Sequence, residues 1–181
     1  MKRIVVKVKL PSKTEFISIL SAIDMHFSEI FWQHDRIFVP KNFERAKNLP
    51  RLSLRTIVKN PEKPASYAIV LRRHIENKNV DVVNFTTVKD YTEAAHILHQ
   101  LGFELKYEVS RHRQELTMSE NVKIYLDKID NLPGYYAKFE SNLEDTDNPE
   151  DVQIDLVKTF EVLKVPRSNI VDYSFGELLE R

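Results

Sequence analysis

Residues 107–140 read YEVSRHRQELTMSENVKIYLDKIDNLPGYYAKFE. The stretch reads as three successive strands that carry charge at strand spacing. Arg111, Arg113 and Glu115 share one face of the first strand. Lys123, Tyr125 and Asp127 share a face of the second, opposite Val122, Ile124 and Leu126. Tyr136, Lys138 and Glu140 share a face of the third, opposite Ala137 and Phe139. Side chains alternate along a strand, so each charged row points one way and each apolar row the other. Antiparallel neighbours with matching charged faces build one ionic surface.

The same alternation appears at the N-terminus. In residues 2–10, KRIVVKVKL, Ile4, Val6, Val8 and Leu10 oppose Arg3, Val5, Lys7 and Lys9. Pro11 ends this strand, Ser12 or Thr14 can cap a helix, and Phe16, Ile17, Leu20, Ile23 and Phe27 recur at helical spacing through about residue 26. Residues 29–39 return to strand character. Residues 40–50 read as a loop, with room for one helical turn at 43–46. Strands follow at 51–58, 66–74 and 79–88, with a proline turn at Pro61 and Pro64. Asp90 caps a helix with Glu93 three residues on, and Gly102 fits just past its end. After the three-strand stretch, residues 143–148 form an acidic loop. A last helix starts at Asn148 or Pro149, carries Val152, Leu156, Phe160 and Leu163 on one side and stops at Pro166.

About eight strands in consecutive runs and three main helices make the fold class α+β, with mostly antiparallel pairing. Eight strands can close a small barrel or tunnel. The charged faces would then line the inside, with the apolar faces outward under helices. That inversion is worthwhile where the tunnel holds a charged ligand and water. Phe31 and Trp32 are expected on the outside.

Composition narrows the function. The 181 residues, 42% apolar and 30% charged, describe a globular chain read as one domain over residues 1–181. Lys plus Arg equals Asp plus Glu at 27 each, which argues against a nucleic-acid clamp working by bulk charge. The absence of cysteine removes disulfides and thiolate zinc sites. With three isolated glycines there is no phosphate-cradling glycine loop. No apolar run approaches the roughly 20 residues of a membrane span, and no signal peptide is visible, so the expected location is the cytoplasm. His96 and His99 lack an evident third metal ligand; His34-Asp35 reads as a strand-edge pair. Ser110 and Ser174 lack the glycine elbow of a serine hydrolase.

Taken together, these pieces resemble the CYTH family of triphosphate tunnel proteins, which includes class IV adenylyl cyclases, thiamine triphosphatases and inorganic triphosphatases. The likeness rests on Lys7-Val8-Lys9 ending the first strand and on Arg55 preceding a strand with Leu71-Arg72. It also rests on VSRHRQEL followed by KIYLDKIDNLPGYYAKFE, and on the closing Tyr173-Ser174-Phe175-Gly176-Glu177-Leu178-Leu179. It covers nearly the whole chain. The resemblance implies an eight-stranded antiparallel β-tunnel with flanking helices that binds a triphosphate. By match, the phosphate-holding positions are Lys7, Lys9, Arg55, Arg72, Arg111 and Arg113, with Arg73 an alternative to Arg72. The metal-side carboxylates are Asp127 and Glu140, which would hold one Mg²⁺ or Mn²⁺ weakly, with substrate phosphates as further ligands.

Departures from the pattern qualify that expectation. The family's N-terminal glutamate-x-glutamate-x-lysine reads Arg3-Ile4-Val5-Val6-Lys7, so only the lysine stands. The usual late pair of glutamates reads Lys138-Phe139-Glu140, and Asp81 is the sole acid of residues 80–84. The proposed tunnel face keeps a surplus of about five positive charges, enough to neutralise a triphosphate without metal. Hydrolysis asks for more than neutralisation. The expected function is binding of a phosphorylated small molecule, such as a nucleoside triphosphate or tripolyphosphate, with reduced or absent metal-dependent phosphohydrolase or cyclase activity. The alternative is an active single-metal triphosphatase or adenylyl cyclase-like enzyme. A protein-interaction domain on the same scaffold is a third reading. Homodimer formation is left open by the sequence.

Overall fold

A computed structural model describes residues 1–41, 50–75 and 80–180. The expected helical turn at 43–46 lies outside them. Eight strands form a closed antiparallel ring, as the alternation predicts. They are β1 (Lys2–Leu10), β2 (Phe31–Pro40), β3 (Arg51–Val58), β4 (Ser66–Ile75), β5 (Val80–Val88), β6 (Phe103–Thr117), β7 (Val122–Ile129) and β8 (Tyr135–Leu143). Around the barrel the order is β1, β5, β4, β3, β2, β6, β7, β8, and β8 returns to β1. The seam between β1 and β8 runs the length of β1, from Lys2 opposite Leu143 to Leu10 opposite Tyr135. The seam between β1 and β5 joins three residue pairs, Lys2 to Ile4 against Val82 to Val80.

The apolar rows face outward under helices. On β1, Ile4, Val6, Val8 and Leu10 are buried against Phe16 and Leu20 of α1 (Lys13–Ser21) and Leu156 and Phe160 of α3 (Pro149–Val162). α1 ends five residues short of the expected end. A left-handed residue, Asp24 at φ 59°, breaks the helical path between Ile23 and Phe27, and Phe27 returns to the core beside Phe16 with ring centroids 6.3 Å apart. Ser12, Asp90 and Asn148 cap the three longer helices through their side-chain oxygens. Phe160 is wholly buried and stacks edge-on against Phe139 with ring centroids 4.4 Å apart. Truncation of such a residue to alanine costs about 3–5 kcal/mol. On the opposite side α2 (Tyr91–Gln100) buries Ala94 and Leu98 against Phe38 and Leu54.

Phe31 differs from expectation. Two adjacent strand residues cannot share a face. Trp32 is outside, stacked on His34 with centroids 5.5 Å apart, whereas Phe31 is buried opposite Arg113 on the inner face. Gln33, Asp35 and Ile37 continue that inner row.

After α3 the chain makes a 3₁₀ turn, Arg167–Asn169, and reaches the barrel through a bridge between Ile170 and Val8. It ends in the short helix α4 (Phe175–Leu179). Phe175 is buried among Val109, Ile129, Leu132 and Tyr136, three of which are inward-facing residues of β6, β7 and β8. An apolar cluster thus fills one end of the barrel interior.

Candidate functional site

The inner faces of the strands converge on two kinds of ionic arrangement. The first is closed upon itself. Asp35 of β2, wholly enclosed, accepts from Arg55 Nε at 2.6 Å, Arg111 Nη2 at 2.8 Å and Gln33 Nε2 at 2.8 Å. Asp127 of β7 accepts from Arg113 Nε at 2.6 Å and Nη2 at 2.7 Å, a bidentate pair, while Arg113 Nη1 donates to Gln33 Oε1 at 3.3 Å. Arg111 Nη1 approaches Asp127 at 3.9 Å, so one guanidinium bridges both carboxylates. Burial alone would push both aspartates up. Arg55 and Arg111 outweigh it at Asp35, and Arg113 and Arg111 at Asp127, and both acids are held well below the usual carboxylate range. Tyr125 completes the block, with Arg113 4.4 Å and Lys138 4.7 Å from its ring centroid. Burial first, then the nearby Glu140, pushes its hydroxyl up to about 12.

The second arrangement opens on a cavity of about 680 Å³, within the usual range for small-molecule sites. Lys7, Arg51, Arg55, Arg72, Arg111 and Lys138 bring positive charge to its wall; Asp35, Asp81, Asp172 and Glu177 bring negative charge. The strand register explains the convergence. Lys7 lies directly opposite Lys138 across β1 and β8, and Arg51 directly opposite Arg72 across β3 and β4. Like charges placed directly across a sheet are unfavourable by themselves. Such pairs are tolerated where an anion or solvent stands between them. Partners here are looser: Arg72 Nε is 3.7 Å from Asp81, and Arg51 Nη2 is 3.5 Å from Glu177. Lys7 Nζ donates to the Tyr173 carbonyl and has no carboxylate in ion-pair reach among the described residues. Burial, with Arg72 adding, pulls Lys7 down to about 8. Arg111 Nε is buried at this wall without a protein partner among the described residues.

Of the residues expected to hold phosphate, Lys7, Arg55, Arg72 and Arg111 line the cavity. Lys9 and Arg113 do not. Lys9 has the right parity but sits at the level of Tyr136, exposed beside the Gly134 turn. Arg113 faces inward but is spent on Asp127. Arg73, the alternative to Arg72, points outward and is exposed.

The metal expectation does not fit the geometry. Asp127 lies opposite Tyr136 and Glu140 opposite Lys123, so four residues of β8 separate their levels, about 13 Å at strand rise. One ion cannot bridge that gap. The oxygens are also engaged: Arg113 holds both of Asp127's, while Glu140 Oε2 accepts from Arg3 Nη1 at 2.6 Å and Oε1 pairs with Lys138. Burial would raise Glu140, but Lys138 and Arg3 hold it well below the carboxylate range; burial draws Lys138 below its own. Among the described residues no group of three or more His, Asp or Glu side chains is placed to hold a metal. Arg3 and Lys138 stand where the family pattern has carboxylates, and they bring charge of the opposite sign.

Sequence reasoning missed three contributors. Asp35, read as half of a strand-edge pair with His34, is the hub of the buried network; the alternation Phe31, Gln33, Asp35, Ile37 carried that signal. Arg51 follows from the parity of Arg55. Glu177 gave no periodic signal because it comes from the tail. His34 meets Ser110 Oγ at 2.7 Å on the outer face, not Asp35.

An eight-stranded tunnel with a cationic cavity is what defines the triphosphate tunnel class, and the sequence agrees. The CYTH domain model matches residues 1–174, and the chain belongs to that family. Proteins of the family bind triphosphate substrates, and its enzymes typically depend on a metal. Similar solved structures include a protein from Pyrococcus horikoshii (TM-score 0.83, 18% identity, 98% of each chain covered). A candidate adenylate cyclase from Vibrio parahaemolyticus matches with TM-score 0.83, 17% identity and coverage of 99% of this chain and 98% of that one. A candidate adenylyl cyclase from Hippeastrum, described as having a dominant triphosphatase activity, matches with TM-score 0.63, 15% identity and coverage of 99% and 95%. At these identities the likeness is one of fold. No curated protein gives a significant sequence match. No helix of the described residues is long and apolar enough to cross a membrane.

Proposed function

We propose that the chain binds a triphosphate-containing or polyphosphate ligand in its cavity, without a divalent metal, and that metal-dependent phosphohydrolase or cyclase activity is reduced or absent. Lys7, Arg51 and Arg72 would contact the phosphates, with Lys138, Arg55 and Arg111 behind them. The observation that carries this reading is the pairing of like charges across the cavity wall, Lys7 with Lys138 and Arg51 with Arg72. Charge-assisted contacts to phosphate oxygens are worth about 1.5–3 kcal/mol each, so a few of them outweigh the cost of ordering a small ligand. Arg3 and Lys138 occupy both oxygens of Glu140, which leaves that carboxylate no role as a metal ligand. Binding of this kind suits a protein of the cytoplasm, where nucleoside triphosphates are plentiful.

Calorimetry with tripolyphosphate and with ATP, in chelator and again in millimolar Mg²⁺, tests the reading. Binding is expected in chelator and is expected to weaken as salt rises. No heat and no thermal stabilisation at millimolar tripolyphosphate in low salt would overturn it. Phosphate or cyclic nucleotide release that requires Mg²⁺ or Mn²⁺ would restore the single-metal enzyme reading.

A further inference from the structure

The tail of the chain does more than close the barrel. Val171 N–H donates to the Lys7 carbonyl at 2.8 Å, which aligns the segment along β1. Two residues on, the Tyr173 carbonyl takes the Lys7 ammonium. Glu177 Oε1 faces Arg51 at 3.5 Å, and its Oε2 accepts from the Ser174 N–H at 2.7 Å. The Phe175 ring lies 5.5 Å from the Arg111 guanidinium and 5.7 Å from Lys7 Nζ. The backbone at Gly176 is pressed onto Tyr107, where a Cβ would come within 2.0 Å of the ring. The segment therefore sits in the cavity wall and offers oxygen atoms to two of its cations.

We propose that residues 172–179 act as an internal competitor of the anionic ligand, holding Lys7 and Arg51 through the Tyr173 carbonyl and Glu177 and yielding them when a polyanion binds. This rests on the binding reading above. The contacts are of the right strength to be exchanged. Arg51 and Glu177 are each 41% exposed at the side chain, which places their pair among those of small net value. A carbonyl is also a weaker partner for an ammonium than a phosphate oxygen is. Phe175, buried among Tyr136, Val109 and Ile129, anchors the segment while its polar atoms change partners.

Glu177→Gln isolates the charge. Glutamine at this third helical position still accepts from the N-cap amide, so the capping box persists. Tripolyphosphate titrated into the full-length parent and into E177Q, in chelator and low salt, should bind the variant about threefold or more tighter. Hydrogen exchange on the parent gives a second readout: tripolyphosphate should speed exchange at the Val171, Leu178 and Glu180 amides. Binding by the parent with no gain in E177Q, or slower exchange at those amides, overturns this inference alone. Absence of binding by both proteins overturns the binding reading, and this inference falls with it.

Discussion

The two halves of the tunnel interior are built from the same residue types at the same strand spacing, yet they serve different ends. In the half centred on Asp127 and Asp35, arginines meet carboxylates at 2.6 to 2.8 Å, and Asp35, Arg111, Arg113 and Asp127 are buried. In the cavity half the closest carboxylates to Arg72 and Arg51 are 3.7 and 3.5 Å away, and Lys7 has a carbonyl instead. A buried arginine saturated by a carboxylate has nothing left to offer a ligand. One whose partner is loose and partly solvated can change partners at small cost. An ionic row in a barrel therefore does not say which of its members bind; the pairing across strands decides it.

The largest expected effect breaks the closed half. Asp127→Ala leaves Arg113 buried without a counter-charge, a loss of about 3–5 kcal/mol. For a chain of this length that corresponds to a fall in Tm of about 10 °C. Thermal unfolding monitored by circular dichroism checks it. A variant within a degree or two of the parent would mean that this half is not a structural brace. Arg113→Ala should behave alike, unfolding more easily rather than losing affinity selectively, because it strands Asp127 in turn. That outcome separates Arg113 from the phosphate-holding role its motif position implies.

Arg72→Ala, in the open half, should do the reverse. Arg72 is about a third exposed and 3.7 Å from Asp81, so its removal should leave Tm nearly unchanged. It should weaken tripolyphosphate binding about tenfold or more, in line with one charge-assisted phosphate contact. Loss of stability without loss of affinity would invert the assignment of the two halves. Lys158, on the solvent face of α3 and paired with Asp155, is the control, and Lys158→Ala should change neither Tm nor affinity.

How much of this was legible in the sequence follows from where the signal resides. Strand alternation gave the eight strands, their inward ionic rows and the outward apolar rows, because parity is a property of neighbouring residues. The family resemblance added Lys7, Arg55, Arg72 and Arg111 as members of one interior. Register is not local. That Asp127 lies opposite Tyr136, and Glu140 opposite Lys123, depends on turn lengths and on the Leu132–Gly134 turn, so the two carboxylates looked closer in sequence than they are. Nor does sequence say which cation meets which anion. Arg111 and Arg113 read alike, two residues apart on one face, but only Arg113 is matched bidentately to Asp127. The tail was recognisable by resemblance alone, since a five-residue helix carries too little periodicity to reveal what it packs on.

The smallest expected effect concerns pH. In the ligand-free protein Lys7 is pulled from its ordinary 10.5 down to about 8 by burial and by Arg72. Arg51 adds to this repulsion, while Glu177 and Asp81 oppose it. Unfolding restores the ordinary value, so between about pH 8 and 10.5 the unfolded chain binds more protons at this site. Ligand-free stability through Lys7 thus rises with pH across that window. Binding has the opposite sign. A phosphate beside Lys7 favours the ammonium and raises its pKa, so the complex holds the proton that the free protein has shed. Affinity through this group is level below about pH 8 and falls above it. Full coupling would give up to tenfold per pH unit. Lys7 keeps part of its surface open to the cavity, which reduces this to a few-fold. Titrations of tripolyphosphate at pH 7, 8.5 and 9.5 measure the slope, and Lys7→Arg separates it from the ligand's own ionisation, because arginine stays charged throughout. The arginine variant should bind with a flatter profile. If parent and variant show the same slope, Lys7 is not beside the phosphate, and the open half of the tunnel binds through Arg51 and Arg72 without it.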